Sequence, residues 1–347
     1  MQINLSKRTL HVRDGEVPFQ RGRREHHAIV VSITDEQGKR IGLGECSPLA
    51  GISCDADAYI KMSDAARLVN EALVSEDYTK KLRQYPALLF ALESALYDYQ
   101  QNPLLYDTPF AHSQVGIPSY AVIDAEGYEP MLNRCKRMIL KGFRHLKLRI
   151  VEGDEADVLK VVDTLRSRFS AETLRLSIDA LGSLGIEEAE ALLIKLRQYD
   201  IYQIEQPVRQ YQWKEMARLC QMSRETGTTP VTLDEELIGV NTLEEKCMLL
   251  DTIQPQFIVV KPMLHGGITG AIEWASEAMK RDIGVVVSAS QEGNIGRRNV
   301  ALLAARIFGP GCIEAQGLGT GSLYRDDTEM DIEMHGNKLW RSLVDED

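Results

Sequence analysis

From about residue 117 onward, short runs of β-branched and apolar residues alternate with longer stretches whose apolar residues recur at three- and four-residue steps. The first pattern predicts buried strands, and the second predicts amphipathic helices. Eight such runs occur, which is the number of strands in a (β/α) barrel. They span residues 117–123, 145–150, 174–180, 201–207, 230–235, 257–262, 284–290 and 312–318.

The first hundred or so residues have a different pattern. Alternating apolar residues at 28–36 predict a strand, and residues 38–49 predict a turn followed by a second strand. Apolar residues at helical spacing occur at 88–100. We therefore expect a small α+β unit, with a sheet packed on helices, ahead of the barrel.

Polar residues interrupt the predicted barrel strands near their carboxyl ends. Successive separations of 32, 26, 29, 27 and 27 residues repeat at roughly one strand-plus-helix unit. The residues concerned are Lys147, Asp179, Glu205, Asp234, Lys261 and Ser288. All strand ends of a barrel open on one face, where catalytic groups converge, so we expect these side chains to lie together.

Three of these residues, Asp179, Glu205 and Asp234, are carboxylates within apolar strands, where an uncompensated charge is costly. A shared hard cation would compensate them. Three carboxylates with water and substrate oxygens suit Mg²⁺, with Mn²⁺ as a substitute. The alternative is that basic residues at neighbouring strand ends form buried ion pairs with the acids and hold no metal.

Lys147 and Arg149 are two residues apart on one predicted strand, so their side chains point to the same side, into the barrel mouth. Lys261 comes from the sixth strand, across the barrel. A carboxylate substrate between these basic residues and a metal ion could lose the proton next to its carboxylate. The hydroxyl groups of Ser288 and Ser290 could hold a second substrate carboxylate.

Other features limit the class of protein. The net charge of -11 and pI near 5.3 argue against binding of nucleic acid. No segment approaches the roughly 20 apolar residues needed to cross a bilayer, and the N-terminus has no secretory pattern. The six cysteines lack metal or disulfide spacing and are expected to be reduced. We expect a cytoplasmic enzyme for a small-molecule carboxylate, either a monomer or a homo-oligomer.

The strand-end segments KLR, SIDA, IEQP, LDEE and VVKP, in this order, resemble the enolase superfamily. Within its muconate-lactonizing-enzyme subgroup, the chain resembles the o-succinylbenzoate synthases of menaquinone biosynthesis, especially the Bacteroidetes type. GLGECSPLAGIS (42–53), KPMLHGGITG (261–270) and QGLGTGSLY (316–324) extend the resemblance along the chain.

The resemblance implies a (β/α)7β TIM-like barrel at 111–322, an α+β capping domain at 1–110, and a C-terminal segment at 323–347 that returns to the cap. It implies dehydration of 2-succinyl-6-hydroxy-2,4-cyclohexadiene-1-carboxylate to o-succinylbenzoate through an enediolate. It also implies a Mg²⁺ ion on Asp179, Glu205 and Asp234, with an acid/base residue on the second strand and Lys261 stabilising the enediolate.

Several positions depart from the family pattern. The second-strand motif Lys-x-Lys is here Lys147-Leu148-Arg149, and an arginine almost never acts as a base because its pKa lies above about 12. Leu181 replaces the usual Asn, Gln291 replaces an apolar residue, and Arg297 and Arg298 form a pair that the relatives lack. Lys147 with Arg149 would then be an altered acid/base pair. Racemisation or epimerisation of N-acylamino acids or dipeptides, or a catalytically silent homologue, remain the alternatives.

Overall fold

The structure is a computed structural model that describes residues 1–16, 22–38, 41–59, 61–124, 126–150 and 155–342. Two parts of the sequence predictions lie outside the described residues. They are residues 39 and 40 of the predicted turn and residues 343–347 of the predicted C-terminal segment.

The N-terminal part begins with an antiparallel three-stranded sheet in the order β1-β2-β3. Its strands are β1 (Gln2–His11), β2 (Glu25–Thr34) and β3 (Ile41–Cys46). Alternate residues of β2, such as Val31 and Ile33, are fully buried because successive side chains of a strand point to opposite faces. The two strands predicted in this region are confirmed.

Four helices follow this sheet, and the third of them covers it. They are α1 (Met62–Leu73), α2 (Tyr78–Leu82), α3 (Pro86–Gln100) and α4 (Pro103–Tyr106). A side chain at Gly44 would overlap the carbonyl group of Ala91, so the glycine allows α3 to pack closely on β3. The predicted helix at 88–100 lies within α3 and is confirmed.

The second part is a parallel sheet of seven strands in which each strand pairs with the next along the chain. Its strands are β5 (Ala121–Ile123), β6 (His145–Arg149), β7 (Arg175–Asp179), β8 (Gln203–Glu205), β9 (Val231–Leu233), β10 (Phe257–Val260) and β11 (Gly284–Val287). Sequential parallel pairing of this kind is the arrangement of a (β/α) barrel.

The eighth predicted strand, at 312–318, is reduced to two bridging residues. Gln316 bridges to Ser119, and Gly317 bridges to Ser288. The N–H of Tyr120 donates to the carbonyl of Gln316 at 3.0 Å. Residues 316 and 317 thus connect the first and last strands of the sheet, which closes the barrel and confirms the predicted fold class.

Helices between the strands cover the outside of the barrel, as the three- and four-residue periodicity predicts. They are α5 (Tyr128–Leu140), α6 (Glu155–Arg166), α7 (Ile186–Leu196), α8 (Trp213–Thr226), α9 (Leu243–Ile253), α10 (Gly267–Met279) and α11 (Asn294–Phe308). Within the described ranges, no helix is long and apolar enough to cross a membrane.

After the barrel, the chain contacts the N-terminal sheet and then forms a hairpin. Tyr324 bridges to Val12 at the end of β1. Strands β12 (Ile332–His335) and β13 (Lys338–Arg341) are antiparallel, and β13 pairs with β4 (Ile117–Pro118). The domain limits at 110 and 322 stay predictions.

Candidate active site

The predicted site residues line a single cavity at the carboxyl ends of the barrel strands, with a volume of about 220 Å³. The residues are Lys147, Arg149, Asp179, Glu205, Asp234, Lys261, Ser288 and Ser290. Leu49 and Ile52, from the N-terminal part of the chain, also line it. The barrel therefore brings together side chains that are far apart in sequence.

The register of neighbouring strands places Arg149, Asp179 and Glu205 at the same level along the barrel axis. Arg149 is opposite Asp179, and Asp179 is opposite Glu205 in the parallel sheet. Asp234 follows the end of β9, where the side-chain oxygen of Gln206 accepts hydrogen bonds from the N–H groups of Asp234 and Glu236. These contacts hold the turn that carries the third carboxylate.

Each of the three carboxylates is paired with a basic side chain. Lys147 donates to Glu205, and Lys261 donates to Asp234. Nε of Arg149 lies 3.3 Å from Oδ2 of Asp179. The ion pairs expected in the alternative hypothesis are therefore present.

Burial and mutual repulsion set the electrostatics of the acids. Burial raises the pKa of Asp179, and the nearby charge of Glu205 raises it further. Burial also raises the pKa of Glu205, with Asp234 acting in the same direction. Burial and Asp234 raise the pKa of Glu235, another residue of the pocket, to about 8. The pocket therefore gathers acidic groups at low solvent exposure, where their charged forms are disfavoured unless a cation compensates them.

Burial acts on the pKa of the lysines in the opposite direction, but the nearby acids outweigh it. Burial alone would lower the pKa of Lys147, but Glu205, Tyr120 and Asp179 raise it above its usual value. In the same way, Asp234 and other acids raise the pKa of Lys261 against the effect of burial. Both lysines are thus ammonium ions in this arrangement of side chains.

The pocket carries more acids than bases. Among the described residues that line it, eight are acidic and six are basic. At the strand ends, five of the acids, Asp124, Asp179, Glu205, Asp234 and Glu235, lie with three of the bases, Lys147, Arg149 and Lys261. Two carboxylate oxygens, Oδ1 of Asp234 and Oε2 of Glu235, are buried without a hydrogen-bond partner. This excess of buried, oxygen-only donors fits the chemistry of a hard divalent cation such as Mg²⁺.

The acidic side chains are not arranged as a preformed metal site among the described residues. In the part of the chain that the structure describes, no group of three or more acidic, histidine or cysteine side chains is arranged to hold a metal ion. Asp179, Glu205 and Asp234 would have to exchange their basic partners for the ion. The residue types therefore fit a metal, and the side-chain arrangement is that of the ion-paired state.

Several residues of the pocket were not found from the sequence, among them Asp124 and Tyr120. Asp124 follows β5 directly, and its Oδ2 lies 3.1 Å from Nη1 of Arg149. Asp124 stands at a strand end, 23 residues before Lys147, so the spacing of polar residues at strand ends could have identified it. Nζ of Lys147 donates to the hydroxyl of Tyr120 at 2.9 Å. No sequence pattern distinguishes this tyrosine from a core aromatic residue.

The two predicted substrate-binding serines already have partners in the protein. The N–H and hydroxyl of Ser290 donate to the carboxylate of Glu292 at 2.6 and 2.9 Å. The hydroxyl of Ser288 donates to the carbonyl of Ala289 at 2.9 Å. Both serines line the pocket, and their contact with substrate stays a prediction.

Comparison with known proteins agrees with this architecture. Residues 130–322 match the family "Enolase C-terminal domain-like". The chain is 33% identical over 280 residues to o-succinylbenzoate synthase of Desulfotalea psychrophila (strain LSv54 / DSM 12343). That alignment covers 80% of this chain and 73% of the relative.

Solved structures give the same result for the fold. The crystal structure of MenC from Desulfotalea psychrophila LSv54 has a TM-score of 0.80 and 28% identity, covering 98% of this chain and 99% of that one. The L-Ala-D/L-Glu epimerase from Bacillus subtilis has a TM-score of 0.81 at 20% identity, covering 98% and 96%. The second likeness shows the fold alone. By its sequence and its fold, this chain belongs to the enolase superfamily and, within it, to the o-succinylbenzoate synthase family.

Proposed function

We propose that this protein is a Mg²⁺-dependent lyase that dehydrates 2-succinyl-6-hydroxy-2,4-cyclohexadiene-1-carboxylate to o-succinylbenzoate, in menaquinone biosynthesis. The main support is the set of three strand-end carboxylates, Asp179, Glu205 and Asp234, in one buried pocket with an excess of acids over bases. The 33% identity with an o-succinylbenzoate synthase supports the choice of substrate.

Asp179, Glu205 and Asp234 would hold Mg²⁺, with Mn²⁺ as a possible substitute. A divalent cation there would withdraw negative charge from the substrate carboxylate and so make the adjacent C–H more acidic. Low exposure to solvent would strengthen this effect of the cation on the C–H acidity, because the three carboxylates are each no more than 2% exposed.

The reaction breaks one C–H bond and one C–O bond, and water leaves as the ring becomes aromatic. We assign the transfer of this proton to Lys147, which is 3% exposed and lies beside the hydroxyl of Tyr120. Glu205 holds Lys147 as an ammonium ion, so Lys147 would act as a base only in the state in which Glu205 binds Mg²⁺ and this ion pair is broken. Within the altered acid/base pair, Arg149 holds Asp179 and Asp124. Burial lowers the pKa of Arg149, but these two carboxylates raise it more, so the guanidinium is even less able to act as a base.

Lys261 comes from the other side of the barrel, after β10, and its ammonium group pairs with Asp234. A positive charge at this place would stabilise the enediolate that forms when the substrate loses its proton. Lys147 and Lys261 would therefore act on the substrate from different sides of the pocket.

A direct assay tests the proposal. Purified protein with Mg²⁺ and the cyclohexadiene substrate should give the ultraviolet change of the aromatic product. Glu205→Gln should lower turnover by roughly 10²–10³-fold, because it removes a carboxylate from the charged centre of the site. The exposed Glu187→Gln is the matched control. No turnover by the wild-type protein would refute the proposal.

A catalytically impaired homologue is the second candidate, and Arg149 is the observation that favours it. If the arginine prevents proton transfer, Arg149→Lys should increase turnover, since an amine can lose its proton far more easily than a guanidinium. If Arg149 holds Asp179 as we propose, the same variant should lose activity.

Racemase or epimerase activity is a further candidate function. Incubation of N-acylamino acids and dipeptides in deuterated water would reveal it as exchange at the α carbon.

A further inference from the structure

Arg297, on the first turn of α11, lines the same cavity as the strand-end acids and bases, and is only 8% exposed. Its Nη1 donates to the carbonyl oxygen of Gly321. Its Nε is buried and has no hydrogen-bond partner. Within the described ranges, no carboxylate lies within ion-pair distance of this guanidinium, so its charge has little compensation from the fold.

The neighbouring Arg298 is on the same helix, but acidic side chains neutralise its charge. It is buried to a similar degree, at 6% exposure, and pairs with Asp98 and, at 3.6 Å, with Asp331. Burial lowers the pKa of Arg298, but these acids raise it more. Burial lowers the pKa of Arg297 to about 10, with only the more distant Asp327 acting against it. One arginine is thus neutralised internally, and the other is not.

The backbone N–H groups near Arg297 already donate hydrogen bonds to carboxylates of the protein. The backbone N–H groups between residues 290 and 296 donate to three carboxylates, those of Glu45, Glu292 and Asp327. These contacts occupy the N-terminal donors of α11. The Nε–H of Arg297, in contrast, has no acceptor among the described residues, and a carboxylate that enters the cavity beside the guanidinium would supply one.

The loop facing Arg297 leaves space beside the guanidinium. Residues 317–322 contain three glycines and line the cavity. A Cβ atom on Gly319 would lie 3.9 Å from Nη1 of Arg297, and one on Gly321 would have no atom within 4 Å. Leu318 and Thr320 of this loop also line the cavity, but Gly319 and Gly321 place no side chain over the guanidinium, which leaves room for a planar anion there.

We propose that Arg297 binds a second carboxylate of the substrate, at the end of a flexible arm, while the first carboxylate lies at the strand-end acids and their lysines. This proposal rests on the proposed function, whose substrate carries both a ring carboxylate and a succinyl carboxylate. Arginine suits this role because its planar fork can donate two parallel hydrogen bonds to one carboxylate. The enzyme would therefore select dicarboxylates over the corresponding monocarboxylates.

Calorimetric titration in the presence of Mg²⁺ tests the proposal. The probes are o-succinylbenzoate and its methyl ester at the succinyl end, which differ in the distal charge. Wild-type protein should bind the diacid about ten- to a hundredfold more tightly than the ester, the range expected for a charged hydrogen bond. Arg297→Gln should abolish this preference by weakening only diacid binding. Arg306→Gln, at the exposed end of α11, is the charge-matched control.

The possible outcomes separate this proposal from the proposed function. Equal binding of diacid and ester by the wild type, or equal weakening of both by Arg297→Gln, would overturn the Arg297 site even if the enzyme turns over the cyclohexadiene. If that substrate is not converted, N-succinyl-L-phenylalanine and its succinyl methyl ester replace the probes. An Arg297-dependent preference between them would support the site without the function, and failure of the wild type to bind any diacid would overturn both.

Folding of the variant is checked by circular dichroism. If Arg297→Gln does not fold, Arg297→Lys keeps the charge but loses the planar fork, and a smaller diacid preference is expected. An unchanged preference in Arg297→Lys would contradict recognition by the guanidinium fork. The wild-type comparison of diacid and ester needs no variant and remains decisive.

Discussion

Nη1 of Arg149 lies 3.1 Å from Oδ2 of Asp124, which directly follows the neighbouring strand β5. The same guanidinium donates through Nε to Asp179, so it joins two buried carboxylates at adjacent strand ends. This contact explains how an arginine can occupy the place of the usual lysine. It neutralises acids that would otherwise repel each other.

Arg149→Met should make stability depend more strongly on Mg²⁺. Without the guanidinium, Asp124 and Asp179 lose a buried cation, and the free energy of unfolding should fall by about 3 kcal/mol when no metal is present. Added MgCl₂ should raise the melting temperature more for the variant than for the wild type, because the ion replaces the lost charge. Thermal unfolding with and without MgCl₂ measures this. A variant as stable as wild type without metal would contradict it.

Tyr120→Phe should lower kcat by about tenfold with little change in KM. The phenyl ring can keep its contact with Lys147, whose Nζ lies 4.3 Å from the tyrosine ring centre, so the change removes the hydrogen bond at 2.9 Å. A hydrogen bond to a charged group contributes about 1.5–3 kcal/mol. The pH profile of kcat should also shift, since the ammonium of Lys147 loses a partner. Tyr202→Phe, a control elsewhere in the barrel, should leave both unchanged.

Glu93 should make the protein less stable as the pH rises. Its carboxylate, on α3, accepts hydrogen bonds from the N–H groups of Ile268 and Thr269 at the start of α10. Burial raises the pKa of Glu93 from 4.5 to about 7, although these hydrogen bonds oppose the rise. A raised folded-state pKa gives stability that is present below about 4.5 and is lost as the pH rises through about 7.

Urea unfolding at pH 5 and pH 8 measures this effect for wild type and Glu93→Gln. The wild-type protein should lose free energy of unfolding between these values, with up to about 3 kcal/mol due to Glu93. Glu93→Gln cannot titrate and should show a smaller decrease. Burial also raises the pKa of Glu45, a residue of β3 that accepts a hydrogen bond from the N–H of Gly293 just before α11, to about 7, so part of the decrease should remain. An identical decrease in both proteins would rule out Glu93 as a source.

Leu181→Asn should stabilise the protein by about 1 kcal/mol. Leu181 has a φ of 52°, in the left-handed region, where a leucine is disfavoured by roughly 1–2 kcal/mol and Asn is better tolerated. Its N–H donates to Oδ1 of Asp179 at 3.2 Å, and Asn can keep this bond. Urea unfolding tests the change. Destabilisation by both Leu181→Asn and Leu181→Gly would show that the leucine side chain contributes more than the backbone strain costs.

The recurrence of polar residues at strand ends was enough to predict the barrel and the common pocket that these side chains line. A strand-plus-helix unit has a nearly constant length, so residues such as Lys147 and Asp179 keep their spacing whatever the details of packing. The same regularity placed Glu205, Asp234 and Lys261 in one pocket. The eighth strand was predicted too long, because a run of residue types cannot show that just Gln316 and Gly317 make the closing bridges.

By itself, the amino-acid sequence determined the order of strands and helices and placed several charged side chains at the barrel mouth, since both follow from local periodicity. The tertiary structure decided the partners of those charges. It paired Arg149 with Asp124, placed the hydroxyl of Tyr120 against Lys147, and left Arg297 buried without the acids that neutralise Arg298. These relations depend on distances between segments far apart in the chain, and a linear pattern contains no measure of such distances.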